Sequence, residues 1–165
     1  MKILVIGRSG QVAQALAAVV GVKVRCVGRP EVDLEDHVSL QRLISNAEED
    51  VVINAAAYTN VDGAEAEREQ AFSLNETGPR ALAIACRERG LPLIHLSTDC
   101  VFDGALDRAY EPHDAVCPLG VYGDSKRAGE VAIQQEWHKS LIVRVSWIFS
   151  PYASNFAHEI GRAHV

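Results

Sequence analysis

Short apolar runs alternate with longer stretches of helical periodicity, and this alternation predicts the order of the elements. Lys2 to Ile6 is apolar throughout its interior, as expected of a strand covered on both faces. It runs into Gly7 and an alanine-rich helical stretch. Val22 to Val27 predicts a second strand that ends in Gly28-Arg29-Pro30, and Asp36 is placed to cap a helix over His37 to Asn46. Val51 to Asn54 predicts a third strand. A helical region from Glu65 to Arg89 follows, with Gly78-Pro79 marking a kink or break. Leu91 to Leu96 predicts a fourth strand. The Asp-, Gly- and Pro-rich stretch Phe102 to Pro118 reads as a loop long enough to serve as a lid. A helix opening at Leu119 or Gly120 and running to about His138 leads to a fifth strand, Leu141 to Val145. Strand, helix and strand repeat without hairpin signals, so the expected fold class is α/β, a Rossmann-like doubly wound parallel sheet.

Composition narrows the function. At 165 residues and 48% hydrophobic, the chain fits one domain with a real core. A net charge of -6 offers no basic face for nucleic acid, so a small molecule is the expected partner. Cys26, Cys86, Cys100 and Cys117 lack CxxC spacing, which points to reduced, mostly buried thiols and to no metal site. The first strand begins within two residues of Met1, and no apolar run reaches membrane-spanning length. Neither a leader nor a membrane anchor is expected, and the cytoplasm follows as the default location.

The chemistry gathers where predicted strands end. After the first strand, Gly7-Arg-Ser-Gly10-Gln-Val-Ala13 has the form of a dinucleotide loop. Gly7 permits the tight turn, Gly10 lets backbone N–H groups approach a pyrophosphate, and Ala13 allows close packing of helix on strand. At the end of the second strand, Arg29 stands where many NAD-binding folds carry an acid; it suits a 2′-phosphate or is a solvated loop arginine. Asp33 is a cap or a neighbour of the adenine, and Ala55-Ala56-Ala57-Tyr58-Thr59 follows the third strand where a cofactor would cross. Asn75 has a polar role or faces water. His95 reads as a core histidine, and Cys100 as a packing residue.

Ser97-Thr98-Asp99 sits at the carboxyl end of the fourth strand, where ligands bind in open parallel sheets. Tyr122 and Lys126, four residues apart, share one face of a helix. A fixed cation beside a phenol lowers its pKa from near 10 and readies it to protonate a carbonyl oxygen as hydride arrives at carbon.

Several runs carry a resemblance: Gly7-x-x-Gly10-Gln11, Asn54-Ala-Ala-Ala-Tyr-Thr59-x-Val-Asp62, Ser97-Thr-Asp-x-Val-Phe-Asp-Gly104, Pro118-Leu-x-Val-Tyr122-Gly-x-Ser-Lys126-x-Ala-Gly-Glu130, and Ser146-Trp147. With these the chain resembles the extended short-chain dehydrogenase/reductases, and among them the dTDP-4-dehydrorhamnose reductase family. The resemblance implies NADPH-dependent reduction, with NADH as a second donor, of the 4-keto group of dTDP-4-dehydro-L-rhamnose to dTDP-L-rhamnose. It implies Tyr122 as proton donor, Lys126 on the nicotinamide ribose, and Thr98 on the reacting oxygen. It places Gly7, Gly10, Gln11, Val12, Arg29, Asp33, Leu34, Ala57, Tyr58, Thr59, Leu96, Tyr122 and Lys126 with the cofactor, and Thr98, Asp99 and Trp147 with the sugar nucleotide. Asn75 falls where the superfamily has a structural or catalytic asparagine. Departures are Ala13 for a third glycine, Gly63 for a lysine, Cys100 for an aromatic and Gly120 for an asparagine.

The alternatives are another nucleotide-sugar reductase or epimerase of the superfamily, and a non-catalytic regulatory subunit of a methionine adenosyltransferase. A full-length protein of this kind is expected to be a homodimer. Glu159 to Val165 leaves the family pattern and back-translates as GAG ATC GGA AGA GCA CAC GTC, which reads like a sequencing-library adapter. Residues 1–158 are therefore expected to form a partial NAD(P)-binding domain and 159–165 a non-native tail, with a C-terminal substrate domain absent and the fragment itself inactive.

Overall fold

The structure is a computed structural model and describes residues 1–152 together with 155, 157 and 160. The expected boundary at 158 and the tail, Ile160 apart, lie outside the described residues. Five parallel strands form one sheet: β1 (Lys2–Ile6), β2 (Lys23–Val27), β3 (Val51–Asn54), β4 (Leu93–Thr98) and β5 (Ser140–Val145), in the order β2-β1-β3-β4-β5. Alternation along β1 divides the core. Leu4 and Ile6 point into the larger apolar cluster with Leu40, Ile44, Leu82, Cys86 and Ile133, whereas Ile3 and Val5 face Ala13 and Ile53 on the other side. Helix α1 (Gln11–Ala17) thus covers one face, and α2 (His37–Ser45), α4 (Gly78–Arg89) and α5 (Val121–Glu136) cover the other. This is the doubly wound arrangement that the element order predicts.

Two elements differ from expectation. The fourth strand is shifted by two residues, because Ser97 and Thr98 extend the ladder opposite Arg144 and Val145 of β5. Gly78-Pro79 does not break the helical region. A short helix α3 (Arg68–Phe72) runs into a π-helical turn (Ser73–Thr77) and then directly into α4, with Gly78 in ordinary helical geometry at φ -62°. Pro79 falls directly after this turn, in the first turn of α4. The extra residue of the π turn absorbs the misfit and turns Asn75 inward, fully buried. Asp36 caps α2 as expected, accepting from the backbone N–H groups of Val38 and Ser39.

Candidate active site

Because β1 is flanked by β2 on one side and β3 on the other, the connections leaving β1 and β3 diverge and open a crevice at the carboxyl ends of the strands. A cleft of about 430 Å³ lies there, walled by the Gly7–Gly10 loop, Gly28-Arg29, Val32 to Leu34, Ala55 to Ala57, Thr59 and Leu74. Gly7 has φ +126°, and a Cβ there would press within 3.3 Å of the Ala55 and Ala56 backbone. A Cβ on Gly10 would meet nothing within 4 Å, so this glycine faces open space at the start of α1. A bare backbone turn before a helix N-terminus, with small-residue walls, fits a dinucleotide pyrophosphate. Gly7, Gly10, Arg29, Asp33, Leu34, Ala57 and Thr59 could hold such a cofactor.

Arg8 joins this wall, and sequence reasoning passed over it. A Cβ on Gly28 would come within 3.2 Å of the Arg8 Cβ, so Arg8 and Arg29 flank the same end of the cleft. Its place inside the glycine loop was the available signal. Arg29 lies 3.8 Å from Asp33 and is largely exposed, a loose ion pair that leaves the guanidinium available to an anion.

At the end of β4, the Thr98 hydroxyl accepts from the Cys100 N–H at 3.1 Å and lies 3.1 Å from Asp99 Oδ1. The Ser146 hydroxyl, leaving β5, donates to Asp99 Oδ2 at 2.5 Å. Helix α5 brings Tyr122 to this point. Burial first, then nearby Cys100 and Asp99, raise the phenol pKa above 10, while a hydrogen bond to Thr98 pulls it back. This corrects the expected lowering by Lys126: among the protein's own groups, desolvation dominates. Lys126 is 2% exposed and its Nζ donates to the Leu96 carbonyl at 2.7 Å. Burial drives its pKa down to about 8, against an opposing pull from Glu130.

Asn75 ties the two halves together. Its Oδ1 accepts from the Tyr58 N–H at 2.9 Å, and its Nδ2 donates to the Tyr58 carbonyl at 3.1 Å and the Ser125 hydroxyl at 2.9 Å. Ser125, the residue before Lys126, donates in turn to the Tyr122 carbonyl at 2.8 Å. One amide therefore holds the Ala57–Thr59 crossing against the first turn of α5. The polar role is the one observed; Asn75 does not face water.

Other assignments separate from the site. The Tyr58 side chain turns away, packing with Ala64, Ala71 and Val121, and its hydroxyl donates to Glu67 at 2.7 Å, which pushes its pKa to about 12. Only its backbone faces the crossing. Gln11 and Val12 begin α1 outside the cleft wall, and Gln11 Oε1 accepts from Ser150 at 2.9 Å and Asn155 at 3.1 Å. Leu96 contributes its carbonyl to Lys126. Trp147 is 73% exposed with φ 50°. His95 is buried and its Nδ1 lies 3.0 Å from the Asn54 amide. The Asn54 oxygen already accepts from Ala56, so the amide N–H donates to Nδ1 and the proton of the neutral ring is on Nε2, which has no hydrogen-bond partner among the described residues. All four cysteines are free thiols, but Cys100 and Cys117 are exposed, contrary to the expected burial. Glu65 was also missed: its Oε1 accepts from the Val121 N–H at 2.8 Å, capping α5 from a short 3-10 turn (Gly63–Glu65) distant in sequence. Gly120 leaves room for it, since a Cβ there would lie 2.9 Å from that oxygen.

Comparison with known proteins identifies the family. The family described as RmlD substrate binding domain is matched over residues 1–164. A dTDP-4-dehydrorhamnose reductase of Sinorhizobium fredii is 42% identical over 164 residues, covering 98% of this chain and 55% of the relative. One from Mycobacterium tuberculosis is 41% identical over 156 residues, covering 90% of this chain and 51% of its own. The Bacillus anthracis dTDP-4-dehydrorhamnose reductase, solved in complex with NADP, superposes with a TM-score of 0.94 at 31% identity over 98% of this chain and 59% of that one. The chain thus spans about half the length of the curated relatives it matches.

Proposed function

This chain belongs to the RmlD substrate binding domain family, to which it is matched over residues 1–164, and from that premise we propose that its full-length protein is a dTDP-4-dehydrorhamnose reductase. The reaction is reduction of the 4-keto group of dTDP-4-dehydro-L-rhamnose to the alcohol, using NADPH. The observation that carries this reading is the convergence of Thr98, Tyr122 and the buried, cationic Lys126 at the carboxyl end of β4, beside a glycine-walled cleft fit for a dinucleotide.

A reduced nicotinamide, when bound, supplies hydride to the carbonyl carbon. Tyr122 gives its phenolic proton to the oxygen as charge develops there, and Thr98 holds that oxygen by a hydrogen bond. Lys126 stabilises the phenolate left behind and offers its ammonium to the ribose of the dinucleotide. Asp99, held by Ser146, and Trp147 face the sugar nucleotide. Arg8 and Arg29 supply positive charge at the adenosine end, which favours a 2′-phosphate and hence NADPH over NADH. Cytoplasmic location and a homodimer complete the proposal.

The test is direct. Full-length protein incubated with NADPH and dTDP-4-dehydro-L-rhamnose is expected to oxidise the cofactor and yield dTDP-L-rhamnose. Cofactor binding without turnover would favour a regulatory role, and an epimer without net oxidation would favour an epimerase.

A further inference from the structure

Beneath the end of β4 lies an ordered row of charges that the reduction chemistry does not itself require. Lys126 and Glu130 are one turn apart on α5 and are 2% and 1% exposed. The Glu130 carboxylate is gripped by Arg144 of β5, Nε to Oε1 at 2.8 Å and Nη2 to Oε2 at 2.7 Å, and by Arg127 Nη1 at 2.9 Å. The Ser97 hydroxyl also favours the ionised carboxylate, after Arg144 and ahead of Arg127. Arg144 is itself fixed: it stacks over Phe102 at 4.9 Å, donates to the Pro112 carbonyl at 3.1 Å, and Phe102 stacks on Tyr110 at 4.2 Å.

We propose that Glu130 is a positioning residue for the reduction, the counter-charge that keeps the buried Lys126 protonated, and that Arg144 sets its strength by neutralising part of that carboxylate. A lysine out of water loses its proton unless an opposite charge compensates. The other groups packed around Lys126 cannot do this. From β4 come the Leu96 carbonyl and the neutral His95, and from the π turn the Asn75 amide and Glu76, whose carboxylate is paired with Arg80 at 2.9 Å. On α5 itself, Tyr122 is the neutral acid and Arg127 reaches Lys126 only through Glu130. Asp99 and Cys100 act on Tyr122, Glu65 on the helix start, and Arg87 pairs with Glu136 at the far end. Glu130 is the carboxylate that acts on Lys126, pulling upward on a pKa that burial, with this pull included, leaves at about 8.

The test uses full-length protein labelled with ¹³C at lysine Cε, the Lys126 resonance being assigned by its loss in Lys126→Met. Its titration midpoint is expected near 8 in the wild type. Glu130→Gln should lower it by about one pH unit, the effect of removing one opposite charge a helical turn away. Arg144→Gln should move it the opposite way, because the carboxylate is then less neutralised. Opposite signs separate charge tuning from damage to packing, which would shift both variants alike or neither. An unmoved midpoint in Glu130→Gln, or movement of both variants in one direction, would overturn the proposal. If Glu130→Gln does not fold, Arg144→Gln decides it, and an unmoved or lowered midpoint counts against. The alkaline limb of kcat should follow the midpoint in each variant. Only this second readout rests on the proposed reductase reading: titrations that shift as stated in a protein without turnover would leave the charge assignment standing and remove the function.

Discussion

Burial raises the Tyr122 phenol above 10, and in the proposed reduction that makes it a reluctant anion but a proton donor present in full at neutral pH. Tyr122→Phe in the full-length protein removes the proton and nothing of the dinucleotide cleft, so kcat is expected to fall by about 10²–10⁴-fold while NADPH affinity changes little. Steady-state turnover beside fluorescence titration of NADPH checks this, and near wild-type turnover would remove Tyr122 from the mechanism. Arg8 and Arg29 line the cleft that is proposed to take the dinucleotide. Each single alanine variant should reduce the ratio of NADPH to NADH efficiency, and the double variant should reduce it further, since both flank one end of the cleft. A ratio unchanged in the double variant would mark both as loop arginines.

Helix α5 carries the site, and its placement depends on partners distant in sequence: Glu65 at its first turn, Asn75 through Ser125, and Arg144 through Glu130. Replacing Asn75 by Leu leaves the Tyr58 backbone groups and Ser125 without their partner in a fully buried place. The cost is about 1–3 kcal/mol for each group left unsatisfied, so a thermal midpoint unchanged from wild type would contradict the geometry. Such partnerships explain what the sequence makes legible. Apolar runs announce all five strands, and Tyr122 and Lys126 are near enough in sequence for helical spacing to pair them. Glu130 and Arg144 stand on different elements, and Glu65 is 56 residues from the N–H it caps, so no local pattern links them. The π turn was hidden for another reason: Gly78-Pro79 signals interruption, yet close packing of Gly78 on Leu34 and the extra residue before it keep the helix continuous. The sequence pattern ends β4 two residues short because Ser97 and Thr98 are polar, although the ladder to β5 includes them.

At the scale of the whole molecule, the sheet has two edges, β2 and β5, and they are unlike. Along β2, Lys23 and Arg25 are charged, and Arg25 pairs with Glu49 at 2.8 Å, the kind of edge that discourages pairing with another chain. Beside β5 apolar side chains are exposed, Leu141, Trp147 and Phe149 to 57%, 73% and 76%, and a groove of about 950 Å³ with both apolar and charged walls runs between this strand and the Phe102–Pro112 segment. Exposed apolar side chains beside a strand edge favour association. Residues 1–165 expressed by themselves are therefore expected to self-associate through β5, whereas the full-length protein, about twice as long in its relatives, should not form the same contact. Sedimentation velocity across a concentration series separates the outcomes. Leu141→Lys should shift the isolated segment toward monomer, because it places a charge on the associating edge, while Val20→Lys, at a still more exposed position after α1, should have no such effect. A monomeric wild-type segment at the highest concentration would show that this edge is already protected by its own twist and by the neighbouring loop. Association relieved equally by both substitutions would show that added charge alone, and not the β5 edge, governs the behaviour.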